Sequence, residues 1–447
     1  MAKISIEPVT RIEGHLKVDI EVEGGKVVGA RIAGNLFRGF ELIMNGRDPR
    51  DAQHLVQRIC GVCPVSHALA ASLALEDAFG VQPPSNARIV RNLVQGANFV
   101  QSHILHFYHL AALDYVKGPD VPPFVPRYAG DYRLPAAVND AAVQHYLQAL
   151  EMRRKSQEML ALFGGKMPHH VTFVPGGVTE QVTVDKIVSF TWRLRELQNF
   201  VDNVYIPDVL AVADAYKDYA SIGGGYGDFV SFGVFILDDA ATQKLLKRGT
   251  YINGHDGGMD TAQISEQVKH AWYAQATSNT NPSNGRTEPQ PEKAGGYSWI
   301  KAIRYNGAPA EVGPLARMWV NGDYRKGVSV IDRHAARALE CKKIADAMQE
   351  WLKQLQPGAP AYTKAEVPAQ GSGVGLTEAP RGSLGHWLNI AGGVTSNYQC
   401  VPPTNWNCSP ADDHDVLGPV EKALIGTPIA DAANPIEAVR VVRSFDP

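Results

Sequence analysis

The sequence predicts an α+β fold, predominantly α, with a central bundle of long helices and short β-sheets and hairpins at its periphery. Three observations carry this expectation. Apolar residues recur at three- and four-residue spacing over long stretches of the middle of the chain. Strict apolar–polar alternation is confined to short segments near the two ends. Glycine and proline clusters punctuate both patterns where an element has to stop. With 447 residues, 45% of them hydrophobic, the chain can bury a large core.

Taken in order, residues 15–23 alternate, with Leu16, Val18, Ile20 and Val22 on one face and Lys17, Asp19, Glu21 and Glu23 on the other. Gly24-Gly25 turns the chain and residues 26–32 return, which predicts a hairpin. Residues 65–79 are dense in apolar and small side chains and stop at Gly80, a helix for which Pro64 suits the first position. Residues 85–116 are predicted as a helix capped by Ser85 and ended by Gly118-Pro119, with Ile89, Leu93, Val100, Ile104 and Phe107 on its apolar face. A further helix spans residues 141–163 and stops at Gly164-Gly165. Residues 185–206 keep the cleanest helical spacing, through Ile187, Phe190, Leu194, Leu197, Val201 and Val204. Pro207 must kink or interrupt that helix before its pattern resumes to about Ala220. The last long helix is expected over residues 329–355. Residues 277–294 read as a polar surface loop and 356–370 as a proline-rich connector. Short strands at 386–390 and 394–401 lie among turn-rich segments. The whole, 1–447, is expected to be one domain: a β-rich part over 1–58, the helical bundle over 59–356, and a β and loop part over 357–447.

Several function classes are disfavoured at once. A net charge of -3 leaves no electrostatic footprint for nucleic acid. No apolar run is long enough for a transmembrane helix, and the N-terminus has no signal-peptide core. Five cysteines are no disulfide framework for a chain of this length.

Two of those cysteines carry chemistry. In Arg58-Ile59-Cys60-Gly61-Val62-Cys63-Pro64-Val65-Ser66-His67 a Cys-x-x-Cys pair is followed by a histidine one helical turn on. Cys63 lies at the N-terminus of the predicted helix, where the dipole favours thiolate, and His67 can reach its sulfur. The spacing alone leaves a catalytic metal site, a structural zinc site and a redox pair open. Cys341 shares a helix face with Ile344, Met348 and Trp351 and reads as core; Cys400 and Cys408 also read as packing residues. His103, His106 and His109 step around a helix and are expected to bond to neighbouring elements rather than to share a metal.

The wider string resembles the large subunit of nickel–iron hydrogenases. The matching segments are Arg11-Ile12-Glu13-Gly14-His15, Phe37-Arg38-Gly39-Phe40-Glu41, His106-Phe107-Tyr108-His109-Leu110 and Gly165-Lys166-Met167-Pro168-His169. They continue through Tyr297-Ser298-Trp299, Glu311-Val312-Gly313-Pro314-Leu315-Ala316-Arg317, Glu378-Ala379-Pro380-Arg381-Gly382, Pro403-Thr404-Asn405-Trp406-Asn407 and Asp446-Pro447. The resemblance implies reversible, heterolytic cleavage of dihydrogen at a nickel and an iron joined by thiolates, the iron carrying carbon monoxide and cyanide. It implies that Cys60 is a terminal nickel ligand, that Cys63 bridges the metals, and that His67 hydrogen-bonds the bridging sulfur. Glu13 would be the first proton relay. Arg381, Asp114 and Asp446 would form a polar canopy, and Pro380 and Thr404 would line the diatomic ligands. Val62 and Leu113 would flank a gas channel. Glu41 would bind a distal magnesium (or iron or calcium) ion.

The resemblance further implies an iron–sulfur small subunit as partner, since five cysteines cannot also bind a cluster relay. It implies maturation proteins that insert the metals, and membrane attachment only through partners. The periplasm is the expected compartment, reached on the partner's export signal, with the cytoplasm as the alternative. In this family a second cysteine pair, whose first member is selenocysteine in the selenium variants, follows an Asp-Pro step. Here that step is Asp446-Pro447, so the expectation is that a selenocysteine codon read as a stop ends the sequence, which would leave it short of half its metal ligands. A sensor-type hydrogenase and a quinone-module subunit without turnover are the competing function classes; Cys60 and Cys63 argue against the second.

Overall fold

The N-terminal hairpin forms where the alternation puts it. In the computed structural model, which describes residues 2–127 and 130–447, Leu16–Glu23 pairs antiparallel with Lys26–Gly34, and Ala2–Ile6 pairs with its other edge. Leu16, Val18, Ile20 and Val22 face the core, as a period of two requires.

Four helices form the bundle: Ser85–Leu105, Ala136–Gly164, Val184–Phe200 and Val330–Gln354. Each packs against two of the others, so the four close into a ring. One continuous apolar cluster runs from Val9 and the hairpin through this bundle to Phe445. Ser329 caps the last helix, accepting the Asp332 N–H at 3.2 Å. Ser85 does not cap its own helix: Pro84 takes the N-cap position, and the Ser85 hydroxyl donates to Asp239.

Two helices depart from their predicted course. The helix from Ser85 stops being α at Leu105, passes through a π turn at His106–Ala111, and tightens to a 3-10 turn at Ala112–Asp114. Val184–Phe200 likewise enters a π turn, Val201–Tyr205, before Ile206–Ala215. Pro207 occupies the first turn of this new segment, where its missing N–H leaves nothing unpaired. The histidines on and before the first π turn each reach a different element. His103 Nε2 meets Glu340 at 2.8 Å, His106 Nε2 the Arg443 carbonyl at 2.7 Å, and His109 Nε2 the Tyr146 carbonyl at 3.3 Å.

The C-terminal part contains more regular structure than its turn-rich sequence suggests. Gln370–Ala379, Gly382–Ala391 and Val394–Val401 form an antiparallel meander, and Pro403–Asn407, Pro419–Leu424 and Ile436–Ser444 are helical. The Pro64–Phe79 helix lies across the first of these strands. A Cβ at Gly373 would fall 1.9 Å from the Ala74 carbonyl oxygen, and one at Gly375 would fall 1.9 Å from that of Ala70. The alternating glycines are what allow helix and strand backbones to touch, and this contact aims the helix N-terminus at the strand's far end.

Candidate metal centre

That helix N-terminus carries the cysteine pair. Cys63 is the N-cap residue and Pro64 the first residue of the helix. Cys63 Sγ lies 2.7 Å from Cys60 Sγ, the Cys63 N–H donates to Cys60 Sγ at 3.2 Å, and both side chains are buried. The hydrogen bond from the Cys63 thiol holds Cys60 below the usual thiol range, against burial, with the charge of Arg381 assisting. The same bond, with burial, pushes Cys63 up. The lower pKa of the pair, expected at Cys63 from the helix dipole, therefore falls on Cys60, which receives the neighbouring S–H.

Arg381 reaches the pair from a two-residue turn. Ala379 and Gly382 face each other in register, which leaves Pro380-Arg381 as the turn itself, and Pro380 supplies the fixed φ that its first corner needs. Gly382 is required because a Cβ there would meet Val312 at 2.4 Å. Burial would lower the Arg381 pKa; the charges of Asp446, Cys60, Cys63 and Glu13 more than reverse this and hold the guanidinium firmly charged. Its Nε–H donates to Asp446 Oδ1 at 3.1 Å. Arg381 Nη1 and Asp446 Oδ2 are buried with no partner among the described residues. The Glu13 N–H donates to the Pro447 carbonyl at 3.2 Å, and its carboxylate, on an exposed residue, still acts on both sulfurs and on Arg381.

The structure thus brings together Cys60, Cys63, Glu13, Arg381 and Asp446. Asp114, expected in the same canopy, is bonded to other arginines. It is buried, but both its oxygens accept from Arg443 Nη1 at 2.7 Å, and it also accepts from Arg11, so Arg381 is not its partner. Arg443 in turn donates to the Thr10 carbonyl at 2.9 Å. For His67, no bond to Cys63 is found among the described residues. Its Nδ1 instead lies 3.1 Å from His386 Nε2. Burial, with the charge of Arg38 adding, lowers the His67 pKa to about 3 and keeps the ring neutral.

The remaining expected residues are more widely placed. Pro380 is buried in the turn, its carbonyl held by Arg317 Nη2 at 2.8 Å. Thr404 is half-buried in the short helix Pro403–Asn407. Val62 packs beside the pair, while Leu113 lines a surface cavity of about 390 Å³ with Arg11, Val116 and Arg443. Glu41 accepts the Cys400 N–H at 3.0 Å and the Thr287 hydroxyl. Near it, Lys301 pairs with the buried Glu266 at 2.8 Å, and both feel the charge of Glu41.

Two converging, buried, soft sulfurs, with an unpaired guanidinium N–H and an unpaired carboxylate oxygen close by, fit one side of a thiolate-bridged nickel–iron group. Sequence reasoning missed three residues tied to this region. His386, Tyr398 and Cys400 have no local signature, and only strand register gathers them. Arg317 lay within a matched segment, but nothing in that segment reveals its buried partners.

Comparison with known proteins identifies the arrangement. The model of the family described as nickel-dependent hydrogenase matches residues 38–122, 116–327 and 322–447, and one described as HoxL-like matches residues 3–33. The periplasmic [NiFeSe] hydrogenase large subunit of Desulfomicrobium baculatum is 47% identical, over 100% of this chain and 93% of its own length. The hydrogenase-2 large chain of Escherichia coli K12 is 33% identical, over 100% and 96%. Among solved structures, the H2-activated [NiFeSe]-hydrogenase of Dm. baculatum superposes with a TM-score of 0.98 at 48% identity, covering 100% of this chain and 98% of that one. The reduced Ni-Fe-Se hydrogenase of D. vulgaris Hildenborough gives 0.98 at 46%, with the same coverage.

Proposed function

This chain belongs to the nickel-dependent hydrogenase family, as a large, catalytic subunit of the [NiFeSe] type, and from that premise we propose how its own residues serve the reaction. It is an oxidoreductase acting on dihydrogen, with nickel and iron as its metals and a small subunit as its partner.

Cys60 and Cys63 would hold the metal group, Cys60 as a terminal ligand to nickel and Cys63 as the ligand shared with iron. When bound, the metal group supplies the electron-rich, Lewis-acidic position at which dihydrogen is split into protons and electrons. Everything else is asked of the protein. Arg381 keeps a fixed positive charge beside the pair, with an unspent N–H to polarise the gas or a developing base. Asp446 orients that guanidinium through its Nε–H. Glu13 receives the proton from a ligating sulfur and, being exposed on its outer side, releases it outward. Asp114 acts at one remove: by clasping Arg443 and Arg11 it ties the Glu13 loop to the Ile436–Ser444 helix, which leads into Asp446.

Pro380 and Thr404 would line the carbon monoxide and cyanide that we place on iron, and Glu41 would hold a distal magnesium-type ion. The electrons leave through iron–sulfur clusters of the small subunit, since the other three cysteines of this chain are scattered and buried. Maturation proteins load the metals, and the assembled pair is exported to the periplasm, the compartment in the name of the Desulfomicrobium relative. The cytoplasmic alternative has no support of this kind. We read residues 1–447 as one domain, because a single apolar cluster joins its two ends. The sensor-type and quinone-module readings are disfavoured, the first by the company of turnover enzymes and the second by the metal cysteines themselves.

The observation that carries this reading is the buried Cys60–Cys63 pair facing Arg381. With the family's second cysteine or selenocysteine pair in place, the assembled complex is expected to reduce an artificial viologen acceptor under hydrogen, with one nickel per large subunit. A Glu13→Gln complex is expected to keep its nickel and lose that turnover. Full turnover in Glu13→Gln would remove Glu13 from the proton path.

A further inference from the structure

A cavity of about 390 Å³ opens where the Pro64–Phe79 helix, the start of the Ser85–Leu105 helix and the paired strands Val234–Ile236 and Lys244–Leu246 meet. It lies toward the other end of the helix that bears the cysteine pair, and it takes no part in the proposed chemistry. A volume of this size takes a small organic molecule. Leu69, Leu73, Phe235 and Leu376 give it apolar walls. Phe235 holds its part of the wall at a φ of 65°, a left-handed backbone that bulky residues rarely adopt. Its ring packs against those of Phe99 and Trp351, each with its centroid 5.2 Å away, so the core behind it fixes that wall.

The charges around the cavity are unevenly spent. Four carboxylates line it, and each already accepts hydrogen bonds. Glu76 takes two N–H groups of Arg91 at 2.7 and 3.0 Å and the Gly176 N–H at 2.8 Å. Asp239 takes the Arg88 Nε–H at 2.8 Å and the Ser85 hydroxyl at 2.6 Å. Asp238 takes the Thr242 and Gln243 N–H groups at 2.8 and 3.0 Å, and Asp77 takes that of Val374 at 2.9 Å. Asp77 and Asp239 are exposed, where water and salt screen them. Lys244, by contrast, pairs with no carboxylate among the described residues. Its Nζ donates to the Phe232 and Gly233 carbonyls at 3.0 and 3.2 Å, which leaves one N–H of the ammonium to spend. Burial, then the charge of Arg248, pushes the Lys244 pKa down to about 8, as befits an ammonium short of a counter-ion. Arg91 lines the same cavity, and its Nε–H is buried with no partner among the described residues.

We propose that this cavity binds an amphipathic monocarboxylate, of the class of short- and medium-chain fatty acids, with its carboxylate on Lys244 and its alkyl chain along Leu69, Leu73 and Leu376. The Arg91 charge is balanced by Glu76 and that of Arg88 by Asp239, so one cation remains to be answered and one negative charge answers it. A carboxylate also offers a second oxygen to the Arg91 Nε–H. A doubly charged oxyanion would meet the surrounding carboxylates with no further donor to offset them, and a neutral ligand would leave the ammonium uncompensated.

The test is calorimetric titration of sodium octanoate, with octan-1-ol as its uncharged counterpart, into the assembled two-subunit complex. Octanoate is expected to bind at one saturable site per large subunit, at least about tenfold more tightly than the alcohol. Lys244→Met keeps the length of the side chain and removes its charge. It is expected to weaken octanoate by about tenfold or more and to leave octan-1-ol unchanged. No saturable binding by the wild type, equal octanoate affinity in Lys244→Met, or an equal loss for acid and alcohol overturns the proposal. Should Lys244→Met fail to assemble with the small subunit, Leu73→Trp decides it by filling the cavity from its wall: octanoate binding is expected to be lost, and retained binding refutes the site.

Discussion

Arg317 and Arg381 are both buried, and both meet the same β-turn, yet they are used in opposite ways. Arg317 spends every N–H it has. Its Nε and Nη2 fork onto Glu340 at 2.6 and 2.7 Å, Nη1 donates to Glu378 and the Ala379 carbonyl, and Nη2 also donates to the Pro380 carbonyl. Arg381 spends its Nε–H on Asp446 and leaves Nη1 unpaired. A guanidinium with all five donors satisfied is a structural rivet; one with a donor in hand, beside two sulfurs, is held ready for something the chain itself does not provide. The rivet holds the turn, and the turn presents the reactive arginine.

This contrast can be broken most forcefully at the rivet. Arg317→Met would strand Glu340 and Glu378 as buried, uncompensated charges, and is expected to destabilise the fold by about 3–5 kcal/mol, read by denaturant unfolding of the large subunit in its complex. Arg381→Lys is expected to do the reverse. It keeps a charge but loses the fork, so stability and nickel content should change little, while hydrogen-dependent viologen reduction falls by about 10²–10³-fold. A stability loss in Arg381→Lys as large as that of Arg317→Met would erase the distinction.

Sequence patterning could not separate the two arginines, because each depends on partners far along the chain. What was legible was local. The hairpin and the Pro64–Phe79 helix fall within a residue or two of their predicted ends, since alternation, the Gly24-Gly25 turn and the Gly80 stop act over a few residues. The Gln370–Ala379 strand, only the first residue of which falls in the predicted 356–370 connector, has no counterpart in the predicted strands, because Gly371, Gly373 and Gly375 deprive it of strand propensity. Those glycines answer to the helix backbone lying on them, a tertiary demand that no window of sequence expresses. The π turns were equally hidden: the apolar period runs through Phe107 and Val201 unchanged while the hydrogen bonding alters beneath it. At the site, Cys60, Cys63, Arg381 and Glu13 were nameable from matched segments. The partners of Asp114 and His67 were not, since Arg443 and His386 lie 329 and 319 residues away.

The rivet also has a pH signature. Burial would raise the pKa of Glu340, but the charge and hydrogen bonds of Arg317, with His103 adding, bring it down to about 2. A carboxyl depressed from its usual 4.5 stabilises the fold above pH 4.5 and loses that contribution as pH falls toward 2. The stability gap between wild type and Glu340→Gln should therefore narrow by up to about 3 kcal/mol over that window. A gap that stays constant would show that Arg317 does not hold Glu340 ionised. A milder probe is Asp114→Asn, which weakens the clasp on Arg443 and Arg11 and is expected to cost about 1.5 kcal/mol, the scale of one hydrogen bond to a charged group. Its effect on turnover should be far smaller than that of Arg381→Lys, because it acts only through the loop and helix that carry Glu13 and Asp446.

The central claim is that the pair at the helix N-terminus holds nickel while the remaining buried cysteines only pack. The direct measurement is nickel per large subunit in assembled complexes that also carry the family's second cysteine or selenocysteine pair, with Cys63→Ser or Cys408→Ser introduced. Cys408 is fully buried in the main apolar cluster, and burial pushes its thiol pKa up, as befits a packing residue. Nickel is expected to fall to trace levels in Cys63→Ser and to stay near one per subunit in Cys408→Ser. Stoichiometric nickel in Cys63→Ser would contradict the account.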